Sequence, residues 1–383
     1  MLTALADATR AGCGGKAATL GVLLREGLPV PDGFVVPHDG ERGPEVPELL
    51  RGAVARELGR LGDPVVAVRS SAMNEDTAEA SAAGQYESVI GARGTANVCE
   101  AITACWASAN AARVNDYWGR AAVGSAPSFS GMGVLVQRVI EAEISGVMFT
   151  PQRPGDSTRI EAAWGLGLAV VGGMVTPDAY EVTADGSVRC TVGSKRIRID
   201  LDPVRGGVVE SAVTDERQRA RALDGDTTVI LAELGRRIAE IQGGPQDVEW
   251  AVAGGVVWVL QARPVTAALP ALHSPADERA LTGTPGSHGT VIGAARIVRG
   301  PSDFKAVRPG EIVVCPYTDP AWTPLFRIAA GVVTETGGAL SHAAIVAREY
   351  GIPAVLGVAG ALNRMENGHR LALDGTAGTI TLL

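Results

Sequence analysis

The run from Gly331 to Pro353, GVVTETGGALSHAAIVAREYGIP, constrains this chain more than any other stretch. Gly331 to Thr334 is apolar and β-branched, which predicts a short buried strand. Gly337 and Gly338 make a turn. Ser341 stands at the N-cap of a helix running from His342 to Tyr350. Gly351 supplies a left-handed C-cap, and Pro353 blocks continuation. His342 therefore falls in the first turn of a short helix, directly after a flexible glycine loop.

That place has chemical consequences. Open N–H groups and the helix dipole favour negative charge there and disfavour imidazolium. His342 is expected to be neutral near pH 7, with a free ring nitrogen as nucleophile. The same N–H groups could then stabilise a phosphate formed on it. The spacing alone also allows an ordinary histidine at a helix start.

The chain has 383 residues, enough for two domains. Hydrophobic residues make up 46% and charged residues 20%, the balance of a soluble globular protein. A net charge of −8 argues against nucleic acid as partner. No apolar run approaches the roughly 20 residues of a membrane span. MLTALADATR lacks the basic and apolar regions of a signal peptide. The five cysteines are scattered, with no CxxC pair, which predicts reduced thiols in a cytoplasm and no zinc site.

Near the N-terminus, Gly14-Gly15-Lys16 precedes the amphipathic run AATLGVLLREG, closed by Gly27 and Pro29. A glycine turn and a lysine at a helix start suggest a loop facing phosphate. A plain loop lysine fits as well, and the P-loop spacing is absent. Residues 44–62 and 98–120 read as helices, the second with Trp106 and Trp118 in its core. The strand Val65 to Ser71 ends in Arg69-Ser70-Ser71, where a bidentate donor could meet phosphate oxygens. Pairing of Arg69 with Glu75 or Asp76 is the alternative.

Gln246 to Val252 and Val256 to Arg263 both alternate with period two around Gly254-Gly255, which predicts a hairpin. Asp247 and Glu249 share one face, as do Gln261 and Arg263. A three-residue loop, Gly254 to Val256, would set Glu249 opposite Gln261 and Asp247 opposite Arg263, and only an odd loop length is expected to do so. The hard oxygens of Glu249 and Gln261 suit Mg²⁺, and Arg263 adds charge for a phosphate. An exposed strand pair with a cross-strand ion pair is the alternative.

TGGALSHAAIVAREYGIPAV closely resembles the phosphohistidine signature of the phosphoenolpyruvate-utilising (pyruvate phosphate dikinase) family, which includes enzymes like phosphoenolpyruvate synthase and rifampin phosphotransferase. The likeness extends to Asp319-Pro320-Ala321-Trp322-Thr323-Pro324 and to Asp374-Gly375. GGKAATLGVLLREGLPVPDGFVV, VAVRSSAMNEDTAEASAAGQYESV and the DxEW…QxRP hairpin resemble the same family's ATP-grasp domain. The resemblance implies an α/β (α+β) chain. An ATP-grasp nucleotide-binding domain would span 1–265, a linker 266–283 and a swivelling β/β/α phosphohistidine domain 284–383.

The resemblance also implies that Lys16 and Arg69 contact ATP phosphates, and that Ser81 to Gln85 form a lid over them. In an ATP-grasp fold the strand from Met132 would pass the adenine, with Gln137 a candidate contact. Asp247, Glu249, Gln261 and Arg263 would complete the Mg-ATP site. Two departures are visible. Leu168 replaces the family's glutamate in the Gly165-Leu166-Gly167 run, leaving Glu161 as the nearest carboxylate, without a ligand role. Leu340 replaces a threonine that is phosphorylated in some members, so that control is excluded.

The linker region, Pro264 to Gly283, could extend on the order of 65–70 Å. That exceeds the roughly 50 Å diameter expected of the first domain. The implied cycle charges His342 from the β-phosphate of ATP, releases AMP, and passes the γ-phosphoryl to water or phosphate. The phosphohistidine then serves a small-molecule acceptor. The family's pyruvate-binding barrel and its antibiotic-binding helical domain are not expected within this length. A separate acceptor-binding protein is therefore a second reading, and a non-catalytic ATP-binding regulator a third.

Overall fold

The computed structural model describes residues 1–37, 45–73, 88–108, 132–265, 269 and 280–383. Ser81 to Gln85, Trp118, Glu75, Asp76 and most of the anticipated linker lie outside those residues.

The N-terminal portion opens with β1 (Thr3–Ala4), α1 (Gly15–Arg25), β2 (Gly33–Val36), α2 (Glu48–Arg60), β3 (Val66–Ala72), β4 (Ser88–Ala92), α3 (Gly94–Ser108) and β5 (Met132–Arg138). The strands form an antiparallel sheet in the order β1-β2-β5-β3-β4. Alternation sorts its faces: Val66, Val68, Val134 and Val136 join α2 and α3 in one core cluster, while Val35 and Leu135 join α1 in another.

A second antiparallel sheet is built from β6 (Ile144–Phe149), β7 (Thr158–Trp164), β8 (Asp178–Val182) and β9 (Val188–Thr191). A two-stranded ribbon, β10 (Ile197–Leu201) with β11 (Val208–Ala212), and the helix α4 (Gly225–Gln242) follow. The hairpin β12 (Gln246–Ala253) with β13 (Val256–Pro264) completes the sheet, in the order β13-β12-β6-β7-β8-β9. Met148, Ile160, Val248 and Trp250 point to the core that α4 covers. Val147, Phe149, Ala163 and Ala251 point to the other face.

That second face carries Glu161, Asp247 and Glu249, which fall in the same alternation. Asp178, on β8, faces the other way and is fully buried. It pairs with Lys195 and accepts from Gly193 N–H at 2.8 Å and Ala222 N–H at 2.7 Å, tying three segments together.

The C-terminal portion is one mixed sheet of β14 (Leu281–Thr282), β15 (Thr284–Ser287), β16 (Thr290–Ile297), β17 (Ile312–Cys315), β18 (Gly331–Thr334), β19 (Ala354–Leu356), β20 (Arg370–Asp374) and β21 (Thr379–Leu382). Strands β16 to β19 run parallel, and helix α5 (His342–Tyr350) makes the crossover from β18 to β19. The anticipated bounds of β18 and α5 hold, and Gly351 caps the helix with φ 65°. Ser341 departs in one respect. It occupies the N-cap position, but its hydroxyl donates back to the Gly338 carbonyl at 2.8 Å rather than accepting from the helix.

The hairpin corrects the anticipated loop. Gly254 and Gly255 form a two-residue turn with φ 57° and 75°, and Ala253 pairs with Val256. The register then shifts at Glu249/Trp250, leaving Leu260 as an extra residue on β13. Glu249 still faces Gln261 and Asp247 still faces Arg263. Odd parity is needed to build the polar face, but a bulge supplies it rather than the loop. No described helix is long and apolar enough to cross a membrane, and all five cysteines are free.

Candidate active site

A cavity of about 510 Å³ lies where both N-terminal sheets meet the start of α5. Lys16, Arg69, Gln137, Glu249, Gln261, Arg263 and His342 all line it. Asp247 stands one step behind, buried, its Oδ2 accepting from Arg263 Nε and Nη2, both at 2.8 Å. Burial pushes the Asp247 carboxyl up, and the Arg263 charge works against that push.

Lys16 is delivered by the start of α1. The helix begins at Gly15, so the lysine already lies within its first turn. Gly14 has φ 84°, and a Cβ there would collide with the Ser71 carbonyl. The Ser71 hydroxyl accepts from Ala17 N–H at 3.1 Å, and Lys16 Nζ donates to the Ser70 carbonyl at 3.2 Å. The hydroxyl of Ser71, at the end of the strand that carries Arg69, thus anchors the helix.

Arg69 pairs across the sheets, and the local carboxylates Glu75 and Asp76 lie outside the described residues. Its Nη2 meets Glu249 Oε2 at 3.2 Å and Gln261 Oε1 at 2.6 Å, and its Nη1 donates to the Leu260 carbonyl at 2.9 Å. The bulge thus lends a carbonyl to the guanidinium. Two side-chain oxygens on neighbouring strands converge on one nitrogen, so they can converge on one cation. Among the described residues no cluster of three or more His, Cys, Asp or Glu side chains forms a cage. A Mg²⁺ held by one or two protein oxygens and completed by phosphate and water fits this donor set.

Gln137 is buried near the end of β5, opposite Gly33 and Ala67, and donates to the Pro31 carbonyl at 3.0 Å. Beside it the cavity wall is apolar, with Ile90, Val139, Ile140, Leu166 and Leu168. Leu168, which replaces an acidic residue of the resembling family, belongs to this apolar wall.

His342 closes the cavity from the C-terminal side. Its Nδ1 lies 3.0 Å from Thr318 Oγ1. Its Nε2 is buried without a hydrogen-bond partner among the described residues. The imidazole is pushed down to about 4, first by burial and then by the charge of Arg263. A neutral ring is anticipated from the helix start, but the push comes from desolvation and Arg263. A neutral imidazole with one nitrogen engaged and the other bare can attack an electrophile in this cavity.

Two contributors escaped the sequence reading. Thr318 carries no signal outside its place in the fold. Glu161 did: a carboxylate in the middle of Ile160 to Trp164 must find a partner if that strand is buried. It accepts from Leu340 N–H at 3.2 Å. Burial outweighs the nearby arginines and pushes its carboxyl up to about 7. Arg348, on α5, donates to the Gly286 and Ala339 carbonyls, both at 2.8 Å, and lies over the Phe149 ring.

Residues 42–280 match the family described as pyruvate phosphate dikinase, AMP/ATP-binding domain, and residues 307–378 match the PEP-utilising enzyme, mobile domain. The chain is 34% identical over 420 residues to a protein of Methanothermobacter thermautotrophicus named "Probable phosphoenolpyruvate synthase", covering 96% of this chain and 61% of the relative. It is 35% identical to the phosphoenolpyruvate synthase of Pyrococcus furiosus, over 88% of this chain and 43% of the relative. For the Escherichia coli enzyme of that name the figures are 32%, 88% and 45%. The chain thus spans from under half to about three-fifths of the length of these three relatives.

Proposed function

This chain belongs to the pyruvate phosphate dikinase family of phosphoenolpyruvate-utilising enzymes, and we propose that it is a dikinase-type phosphotransferase whose phosphoryl carrier is His342. One observation carries the reading. The bare Nε2 of His342 belongs to a side chain lining the same cavity as Lys16, Arg69, Glu249, Gln261 and Arg263.

With Nδ1 protonated and donating to Thr318 Oγ1, Nε2 holds the lone pair. That nitrogen attacks the β-phosphorus of ATP. The N–P bond forms as the bond from phosphorus to the bridging α–β oxygen breaks, and AMP leaves with the electron pair. The γ-phosphoryl then goes to water or phosphate, leaving phosphohistidine. Lys16, Arg69 and Arg263 offset phosphate charge in a site of low dielectric. Glu249 and Gln261 would hold Mg²⁺, which would supply neutralisation of phosphate charge. Arg69 exchanges its contacts with those two side chains for phosphate. Gln137 and the apolar wall take the adenine.

We assign residues 1–265 and 284–383 to two domains joined by 266–283, so that His342 departs with its load. The acceptor is a small molecule, and the relatives' name makes pyruvate the first to try. Incubation with Mg-ATP and pyruvate, followed by ³¹P NMR, tests this. AMP and a new phosphate ester formed together support the reading. ADP as the product contradicts it.

A further inference from the structure

We propose that Glu161 is the positioning residue that seats the histidine loop for charging, gripping the backbone of Gly338 to Leu340 while His342 faces the cavity and releasing it when His342 leaves. The proposal rests on His342 being the phosphoryl carrier, and it adds the device that holds the carrier in.

Four observations meet at this seat. Glu161 Oε2 accepts from Leu340 N–H at 3.2 Å, and the Ala339 N–H also points at the carboxylate. A Cβ on Gly338 would collide with both carboxylate oxygens, so only glycine lets the loop come this close. The Leu340 side chain is 1% exposed and joins the apolar cluster of Val147, Phe149 and Ala163 on the N-terminal sheet. Gly337 N–H donates to the Val175 carbonyl at 3.0 Å, and Thr336 Oγ1 to the Gly173 carbonyl at 2.7 Å. The loop is therefore plugged by a leucine and fastened by neutral bonds at one end and a carboxyl at the other.

The seat is wired to the cavity through the sheet. Gln261, Glu249, Val147 and Glu161 lie in one row across β13, β12, β6 and β7. Glu161 thus stands two strands, roughly 10 Å, from Glu249 on the same face. Reseating the loop there returns His342 to the proposed metal and phosphate groups in register.

The carboxyl is also the part of the seat that titrates. Arg348 faces it from α5 and Arg159 from its own strand, where Arg159 is shared with Glu181 at 3.8 Å. Asp247 and Arg263 lie beyond Arg348 on the hairpin, and His342 on α5 is held neutral by burial. Burial prevails over the arginines, and the docked carboxyl titrates at about 7. Freed into water, a glutamate titrates at about 4.3. Its value is raised on docking, so its contribution to docking is fully present below the free value. That contribution is lost as pH rises toward 7 and is level above.

The test is amide hydrogen exchange of residues 337–340 in the full chain without nucleotide, corrected for intrinsic rates, from pH 5 to 8. Wild-type protection should fall by up to about tenfold per pH unit between 5 and 7, then level off. Glu161→Gln keeps the shape and an acceptor without the titration, so its protection should be flat and at least as high at pH 8. Glu161→Ala strands the Leu340 N–H and should lower protection about tenfold or more at every pH. A flat wild-type profile, or a Gln variant that tracks wild type, overturns the proposal. Labelling of His342 by ATP is scored separately. Protection that behaves as stated without label retains the seat and discards the carrier.

Discussion

The glycine turn before Lys16 and the glycine turn before His342 each deliver a side chain from the first turn of a helix to the same cavity, but they are fastened to different things. Gly14 is wedged against Ser71 and α1 is bonded to the end of β3, its neighbour in the same fold unit. Gly338 is wedged against Glu161 and Gly337 rests on Gly173, both far away in sequence and on the N-terminal portion. One turn is part of the wall. The other is a guest on it, held by a leucine, a carboxyl and two neutral bonds, which suits a group that must arrive, react and leave.

The sharpest way to break this contrast is to add one methyl group at each turn. At Gly14, Ala meets a φ of 84° and a backbone carbonyl that cannot move. Gly14→Ala should cost about 2–5 kcal/mol of unfolding free energy, read by denaturant titration of the whole chain. At Gly338 the same change should leave the unfolding midpoint almost untouched, because the clash is relieved by undocking. His342 charging should then slow by roughly thirtyfold or more, a cost of about 2 kcal/mol. If Gly338→Ala unfolds the chain as readily as Gly14→Ala, the two turns are not different in kind.

Smaller changes sharpen the comparison. Glu249→Ala removes one of the two converging oxygens and should raise the magnesium concentration for half-maximal charging by about tenfold. A magnesium titration at fixed ATP reads this, and an unchanged midpoint would remove Glu249 from the cation site. Thr318→Val takes away the Nδ1 partner of His342 and should slow charging by about fivefold, near 1 kcal/mol for one hydrogen bond. The smallest expected effect is none. Because His342 titrates at about 4, charging by the Glu161→Gln variant at saturating Mg-ATP should stay flat from pH 8 to 5. A midpoint near 6.5 would mean the imidazole is not buried when it reacts.

The contrast also explains what could be read in the sequence. The strand, glycine turn and helix around His342 are local, and their bounds follow from β-branching, the Ser341 position and the Gly351 C-cap, although the Ser341 hydroxyl turns back to Gly338. The four-residue polar face of the hairpin follows from period-two alternation. What alternation could not locate is the odd residue, which sits at Leu260 as a bulge instead of in the turn. The bond from Ala17 N–H to Ser71 was not legible, because a hydroxyl at a strand end looks alike whether it meets a ligand or a helix N–H. Glu161 and Leu340 are 179 residues apart, and nothing short-range links them. Leu340 was legible only as a threonine that is absent, whereas in the fold it fills the apolar face the loop docks on.

The central claim is that His342 carries a phosphoryl group taken from the β-position of ATP. It is met most directly by incubating the full chain with Mg²⁺ and [β-³²P]ATP, then comparing wild type with His342→Ala for label on the protein and for nucleotide product. The account predicts an acid-labile, base-stable label with release of AMP, both absent in the variant, whose circular dichroism should match wild type. Label retained in His342→Ala, or ADP in place of AMP, would contradict it.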